Sequence, residues 1–286
     1  MVSIVIVTWN SEKDIIPCLN SINKQKQYGF SDFEIIVVDN DSKDKTVAIV
    51  EQDFPDVRLL KNKNNLGYAI ANNQGIKASQ GEYILLLNPD VMLGDDFFSS
   101  PIKLFEESSL VGAVGPQLLN PDLTIQPSIR SFPDYSILLW ELTGLSKLLP
   151  RNRFFGKWRM ANFDYEKPQA VEQPMTSCFL VRKAVIDKIG YFDESFPMYY
   201  NDVDLCKRII NAGWDIFYLP GSYAIHDRGS STRKVRSKMI FSMHKSLYHY
   251  FEKYDKSGFF QVKRLLLYPI MIFSAIIRAS LELLVK

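Results

Sequence analysis

The chain has 286 residues, 47% hydrophobic and 23% charged, with 34 Lys and Arg against 32 Asp and Glu. This is ordinary globular composition, and it excludes disorder, collagen and coiled coil. At this length most of the unfolded surface is buried on folding, so no disulfide staples are needed, and length alone favours about two domains. The three cysteines, Cys18, Cys178 and Cys206, are too few and too far apart for a disulfide framework or a Cys-x-x-Cys zinc site, and they read as core thiols in a reducing compartment. Residues 1–9 are apolar, with no basic segment before them and no small-residue cleavage site after them, so no signal peptide is expected. The net charge of +2 is uneven: residues 226–286 hold 12 Lys and Arg against 4 Asp and Glu, leaving 22 against 28 in residues 1–225. A basic tail thus follows a mildly acidic body.

Short continuous apolar runs at 3–8, 34–38, 57–60 and 83–87 each end in polar residues, the pattern of strands buried on both faces of a parallel sheet. Helical stretches at 12–25, 43–52 and 68–78 alternate with them. The order β-α-β-α-β-α-β, joined by right-handed crossovers, builds a doubly wound α/β sheet. Ser11 with Asp14 resembles a capping box, while Pro17 falls inside the first helix, so that helix starts late or kinks. Ligands of such sheets bind outside the carboxyl ends of the strands, here 8–10, 39–42, 62–65 and 88–90, all polar. From 110 to 175 the periodicity is poor and proline frequent. Clear signal returns with a strand at 178–181, a helix over 203–212 ended by Gly213, and a strand at 215–219.

No Gly-x-Gly-x-x-Gly follows the first strand and no Gly-x-x-x-x-Gly-Lys precedes a Ser or Thr, which argues against a dehydrogenase or a P-loop enzyme. An open sheet with Asp at two strand ends and no glycine cradle calls for a divalent cation, Mg²⁺ or Mn²⁺, to neutralise a bound phosphate. Asn88-Pro89-Asp90 ends the most hydrophobic strand. In an extended segment Asn88 and Asp90 project to one side and face a shared point, although the tripeptide is equally a plain turn signal. Asp39 is placed to accept from a base or ribose, or to cap the segment starting at Ser42. Asn65, with Gly67 opening a helix, carries the same ambiguity. Asp202 at a helix start beside aromatics suits a general base or a simple cap, and Asp204 points elsewhere. His226 is a metal or phosphate ligand, with Arg228 and Arg233 nearby, or a core residue. His244 and His249 lie on a helix among aromatics and receive no chemistry.

Together these residues resemble the inverting family 2 glycosyltransferases of the GT-A fold, closest to the branch containing rhamnosyltransferases of bacterial surface polysaccharides. The resemblance rests on Val5-Ile6-Val7-Thr8-Trp9-Asn10, Ile36-Val37-Val38-Asp39-Asn40-Asp41-Ser42, Asn65-Leu66-Gly67-Tyr68, Asn73-Gln74-Gly75-Ile76, Leu87-Asn88-Pro89-Asp90-Val91, Tyr191-Phe192-Asp193-Glu194 and Asn201-Asp202-Val203-Asp204-Leu205. It implies a Rossmann-like, mixed but mostly parallel sheet flanked by helices. It divides the chain into a GT-A domain over 1–228 and a C-terminal helical extension over 229–286. Within the domain, 1–110 would be the nucleotide-sugar-binding half and 111–228 the acceptor-binding half.

By the same resemblance, Thr8, Asn10, Asp39, Asn65 and Gly67 belong to the donor pocket. Asn88 and Asp90 occupy the place of the family's Asp-x-Asp motif, with Asp90 holding the metal. Asp202 would be the base, Tyr191, Asp193 and Asn201 would lie toward the acceptor, and His226 near the diphosphate or metal. Asn201 replaces the family's Glu before the base, and Asn88 replaces the first Asp, as is usual in the rhamnosyltransferase-like branch. The Gln-x-x-Arg-Trp motif of processive synthases is absent, so one sugar per encounter is expected.

The implied activity is transfer of a sugar, dTDP-L-rhamnose being the donor that the branch implies and UDP-sugars the alternative, to a glycan or lipid-linked acceptor. A catalytically silent nucleotide-sugar-binding subunit is the competing role, and Asn201 favours it. No nucleic acid is expected as a partner. Residues 265–277 are almost wholly apolar and too short to span a bilayer. Preceded by Arg233, Lys234, Arg236, Lys238, Lys245, Lys263 and Arg264, they suit an anchor on an anionic membrane surface, a homodimer seam or a core-covering helix. A cytoplasmic protein, peripheral at the inner face of the cell membrane, is the expected setting.

Overall fold

The computed structural model describes residues 1–196, 199–227, 236–256 and 269. The first half alternates as read from the apolar runs: β1 (Val2–Thr8), α1 (Ile15–Lys24), β2 (Phe33–Asp39), α2 (Thr46–Asp53), β3 (Arg58–Lys61), α3 (Tyr68–Ala78) and β4 (Tyr83–Leu87). Next come β5 (Val91–Leu93), α4 (Ser99–Glu107), β6 (Val111–Leu119), β7 (Ile129–Arg130), α5 (Tyr135–Thr143) and α6 (Leu145–Leu148). The remainder is β8 (Gln169–Ala170), β9 (Gln173–Pro174), β10 (Cys178–Arg182), α7 (Lys183–Ile189), α8 (Asn201–Asn211), β11 (Asp215–His226) and α9 (Arg236–Tyr254).

The main sheet runs β3-β2-β1-β4-β10-β6-β11-β5, with β8 added on β11, and β7 pairs with β9 in a small separate sheet. Strands β1, β2, β3, β4, β6 and β11 run one way and β5, β8 and β10 the other, so the sheet is mixed and mostly parallel. Both faces are covered. Ile4 and Ile6 of β1 pack with Ile15, Leu19 and Ile22 of α1 on one side, while Val5 packs with Ile76 on the other. A strand buried on both faces has no polar side, and for that reason it shows in the sequence as a continuous apolar run. Helix α3 lies very close to β1, and a Cβ placed on Gly75 would stand 2.3 Å from Val5 Cγ1.

Helix α1 takes the late start, at Ile15. Pro17 then sits in its first turn, where backbone N–H groups have no intrahelical acceptor, and no helical bond is lost. The capping box expected at Ser11 and Asp14 does not form, because Asp14 itself stands at the N-cap and Ser11 lies outside the helix. The strand expected at 215–219 extends to His226 across an irregularity between Leu219 and Tyr223. All three cysteines are buried and free.

Helix α9 joins the same core as the sheet through Leu247, Tyr250 and Phe251. Lys253 Nζ pins it down, 2.6 Å from both Asp193 Oδ2 and Asp204 Oδ1. Arg228, Arg233, Lys263, Arg264 and the apolar stretch 265–277 apart from position 269 lie outside the described residues. Among the described residues no helix is long and apolar enough to cross a membrane.

Candidate active site

The parallel pairing of β1 with β2 sets Thr8 beside Asp39. Thr8 Oγ1 donates to Asp39 Oδ1 at 2.9 Å, and the Ser42 backbone N–H and hydroxyl donate to Asp39 at 3.0 and 2.5 Å. Asp39 is therefore both the turn residue and the carboxylate at the strand end; about one of its roughly four acceptor sites is left for a ligand. Asn10, at φ +54°, receives the Lys43 N–H at 2.7 Å and gives its own N–H to Ser42 Oγ. Asn40 ties this turn to the third strand end, accepting from Asn62 and the Leu66 N–H and donating to the Gly67 carbonyl. Gly67 stands before α3 at φ +86°, in the region that favours glycine, and its N–H is taken by Asn65 Oδ1. Thr8, Asn10, Asp39, Asn65 and Gly67 thus share one hydrogen-bonded rim, beside which Trp9 is exposed.

At the end of β4 the Asn88 N–H donates to the Ser177 carbonyl at 2.8 Å, and the Tyr68 hydroxyl approaches Asn88 Oδ1 at 3.4 Å. Asp90 follows in a turn into β5. Because β5 pairs with β11, His226 is the register partner of Val91, and the Asp227 N–H donates to the Asp90 carbonyl. His226 Nε2 lies 3.6 Å from Asp90 Oδ1, a buried oxygen with no hydrogen-bond donor among the described residues. Burial, with the carboxylates of Asp14 and Asp227 adding to it, pushes the Asp90 pKa up to about 6. A buried acceptor without a donor is costly and is suited to a cation. Gln126 fixes the imidazole. Its amide nitrogen donates to Asn120 Oδ1 and to the His226 carbonyl, so its oxygen must be the acceptor for His226 Nδ1 at 2.8 Å. This network assigns a proton to Nδ1 and turns Nε2 toward Asp90.

Among the described residues no group of three or more His, Cys, Asp and Glu is arranged to hold a metal. Asp90 and His226 nevertheless fit a cation that completes its shell with diphosphate oxygens and water.

Asp202 lies in the first turn of α8, whose N-cap Tyr200 is held at φ +66°. Its Oδ1 accepts from the Val203 N–H at 2.8 Å and its Oδ2 from Gln173 Nε2 at 3.4 Å, while Asn201 Oδ1 accepts the Asp202 N–H at 2.7 Å. Burial raises its pKa above the ordinary carboxylate value, against these hydrogen bonds. Tyr68 lies within electrostatic reach of both Asp202 and Asp90, and both carboxylates raise its phenol pKa in addition to burial. The segment from Gln173 to Ser177 connects the two ends, touching Asp202 with its first residue and Asn88 with its last. Four extended steps span at most roughly 13 Å, so the two acids share one region of the molecule.

Two residues expected toward the acceptor are engaged elsewhere. Asp193 is bound by Lys253 and Ser195, which overcome the upward effect of burial and hold its pKa at about 2. Tyr191 lies under Lys77, whose Nζ is 5.1 Å from the ring centre, and its carbonyl accepts from Arg208.

The mixed sheet, its polar strand ends and the helices on both faces define a GT-A fold. The chain belongs to glycosyl transferase family 2, whose model matches residues 3–190 and ends before Asp193, Asp202 and His226. It is 32% identical over 231 residues to N-acetylglucosaminyl-diphospho-decaprenol L-rhamnosyltransferase of Mycobacterium tuberculosis, covering 75% of this chain and 73% of that one. It is 26% identical over 261 residues to rhamnosyltransferase WbbL of Escherichia coli K12, covering 87% and 92%. Among solved structures, S. aureus TarS 1–349 in complex with UDP-GlcNAc superposes with a TM-score of 0.57 at 19% identity, over 96% of this chain and 79% of that one. GalNAc-T7 with UDP, GalNAc and Mn²⁺ superposes with a TM-score of 0.58 at 15% identity, over 79% and 44%. At these identities the two superpositions speak for the fold.

Proposed function

We propose that the chain transfers one sugar from a nucleoside diphosphate sugar to an acceptor hydroxyl, with inversion at the anomeric carbon. The observation that supports it most is the short segment from Gln173 to Ser177, which touches Asp202 at one end and Asn88, two residues before Asp90, at the other. The rim from Thr8 to Gly67 would bind the nucleoside, with Asp39 offering its remaining acceptor site to base or ribose. Asp90 and His226 would hold Mg²⁺ or Mn²⁺, which when bound neutralises charge on the donor diphosphate. Asp202 would take the proton from the acceptor hydroxyl; its raised pKa makes it a stronger base, and Gln173 and the Val203 N–H hold the carboxylate in place. The hydroxyl oxygen then bonds to the anomeric carbon as the bond to the diphosphate oxygen breaks on the opposite face.

The relatives named for L-rhamnosyl transfer support dTDP-L-rhamnose as donor and a lipid-linked glycan of surface polysaccharide as acceptor. A UDP-sugar is the alternative, and the structural neighbours carry UDP and UDP-GlcNAc. The basic, apolar C-terminal sequence would hold the protein at the inner membrane face. Asn201, in place of the family's Glu, favours a second role as a silent nucleotide-sugar-binding subunit.

Titration of the purified protein with a panel of nucleotide sugars, with and without Mg²⁺, followed by product analysis, separates the two. Free nucleoside diphosphate with a glycoside of inverted configuration supports transfer. Donor binding without turnover supports the silent subunit, and absence of donor binding overturns both.

A further inference from the structure

A second polar cluster lies beside Asp202. Arg130 on β7 is the antiparallel register partner of Gln173 on β9. Such partners project to the same face with Cβ atoms about 5 Å apart, and Gln173 is the side chain that reaches Asp202. Arg130 is half-buried and makes no ion pair among the described residues; its hydrogen bond goes to the Ile129 carbonyl at 2.7 Å. Its guanidinium stands 5.6 Å from the ring centre of Trp158, and that of Arg159 stands 5.7 Å from the same ring. Arg159 pairs with Glu141 at 2.9 Å, yet among the described residues its buried Nε has no acceptor and the buried Glu141 Oε1 has no donor. The cluster therefore holds two guanidinium groups against one carboxylate, and one buried donor is left unmatched.

The cluster and the base also meet at Tyr200, whose phenol is raised by burial and by the charges of Asp202 and Glu141. Burial presses the Arg130 pKa downward and the charge of Arg159 adds to it, and together they outweigh the upward pull of Tyr165 and Glu141, so the site on balance disfavours this cation. An unpaired, partly desolvated charge lowers stability unless something else compensates it. A planar fork of N–H donors on an aromatic support is the side-chain chemistry that binds phosphate oxygens in pairs. Close in sequence, Leu148 and Phe154 are 75% and 70% exposed among the basic residues Lys147, Arg151 and Arg153.

We propose that Arg130 and Arg159, gathered around Trp158, form an acceptor subsite that binds the phosphate or diphosphate of a phosphate-linked sugar while its hydroxyl lies at Asp202. This rests on the transfer reaction proposed above and names the residues that would hold the phosphate of its acceptor. The exposed leucine and phenylalanine favour a prenyl chain as the group carrying that phosphate.

The test uses the full chain in EDTA, which keeps cation-dependent donor binding silent, and reads tryptophan fluorescence on addition of geranyl diphosphate, inorganic pyrophosphate or geraniol. Both diphosphates are expected to quench, with dissociation constants at least 10-fold higher in Arg130→Met and Arg159→Met. Tighter binding of geranyl diphosphate than of pyrophosphate identifies the lipid-linked source, and equal binding identifies a soluble phosphate; either supports the subsite. Quenching by geraniol equal to that by the diphosphates overturns it, as do unchanged constants in Arg130→Met. Because Arg130 makes no ion pair among the described residues, Arg130→Met is expected to leave thermal stability unchanged or raised, whereas a purely structural arginine would lower it. Nucleotide-sugar titration of the same proteins with Mg²⁺ is a separate reading. Loss of donor binding with intact diphosphate binding would fail the transfer reaction and leave the subsite standing.

Discussion

His226 Nε2 faces Asp90 Oδ1 across 3.6 Å because β5 and β11, remote in sequence, are neighbours in the sheet. Among the described residues the oxygen is buried without a hydrogen-bond donor, and Gln126 turns the ring so that Nε2 faces the carboxylate.

The Asp90 carboxyl titrates at about 6, above its ordinary 3.8, so between these values the native state binds more protons than the unfolded chain. Stability of the metal-free protein is therefore expected to fall as pH rises from about 4 to about 6, by roughly 3 kcal/mol at most. Asp90→Asn removes this slope. Thermal scans in EDTA should show the variant more stable than the parent at pH 7 and equal to it at pH 4; an equal difference at both pH values would rule out desolvation of Asp90 as the cause.

Gln126→Leu removes the acceptor that sets the His226 tautomer. Partners of this kind typically contribute about 10–100-fold to metal affinity. Mn²⁺ binding in the presence of UDP, followed by electron paramagnetic resonance, is expected to weaken by that factor, and ¹⁵N spectra should show His226 losing its fixed proton on Nδ1. Unaltered Mn²⁺ affinity would remove Gln126 from the site.

Asp202→Asn keeps the shape of the side chain and its place at the start of α8. Loss of a general base lowers the turnover rate by roughly 10²–10⁴-fold. Donor affinity, measured by calorimetry with Mg²⁺, should be unchanged. Transfer at the parent rate would mean that another group takes the proton.

Asp204 is fully buried and accepts from Arg208 Nε at 2.8 Å, Lys253 Nζ at 2.6 Å and the Tyr254 hydroxyl at 2.6 Å. Asp204→Ala leaves two cations short of their shared partner. The expected loss is about 3 kcal/mol, at the lower end for a broken buried pair, because Lys253 keeps Asp193 and Arg208 keeps the carbonyls of Ile189, Gly190 and Tyr191. Urea denaturation measures it, and a change within experimental error would show the cluster to be energetically silent.

The sequence made the first four strands legible because burial on both faces leaves them unbroken, and β4 and α3 have the bounds expected of them. Strand β6 was hidden because Gly112, Gly115 and Pro116 interrupt its pattern. The two glycines are required by neighbours, since a Cβ would stand 2.7 Å from Trp214 Cβ at Gly112 and 2.5 Å from Pro174 Cβ at Gly115. In the site, Asp90 and His226 are recognisable as residue types, whereas their meeting is a product of strand pairing that local periodicity does not carry. Gln126 and Gln173 have no motif around them, and glutamine in an irregular stretch gives no signal. Tyr68 stood inside Asn65-Leu66-Gly67-Tyr68, and its position after the helix-opening glycine was the available clue.

Strand β10 lies between β4 and β6, and β5 sits at the far edge beside β11. A polypeptide severed at residue 110 would thus yield two fragments with raw, unsatisfied edges, neither of which sets position 90 against position 226. The residues before and after position 110 are woven into one fabric, and an exchange between relatives keeps that fabric whole when it is made by loop grafting, since whole-half swaps would cut through the weave.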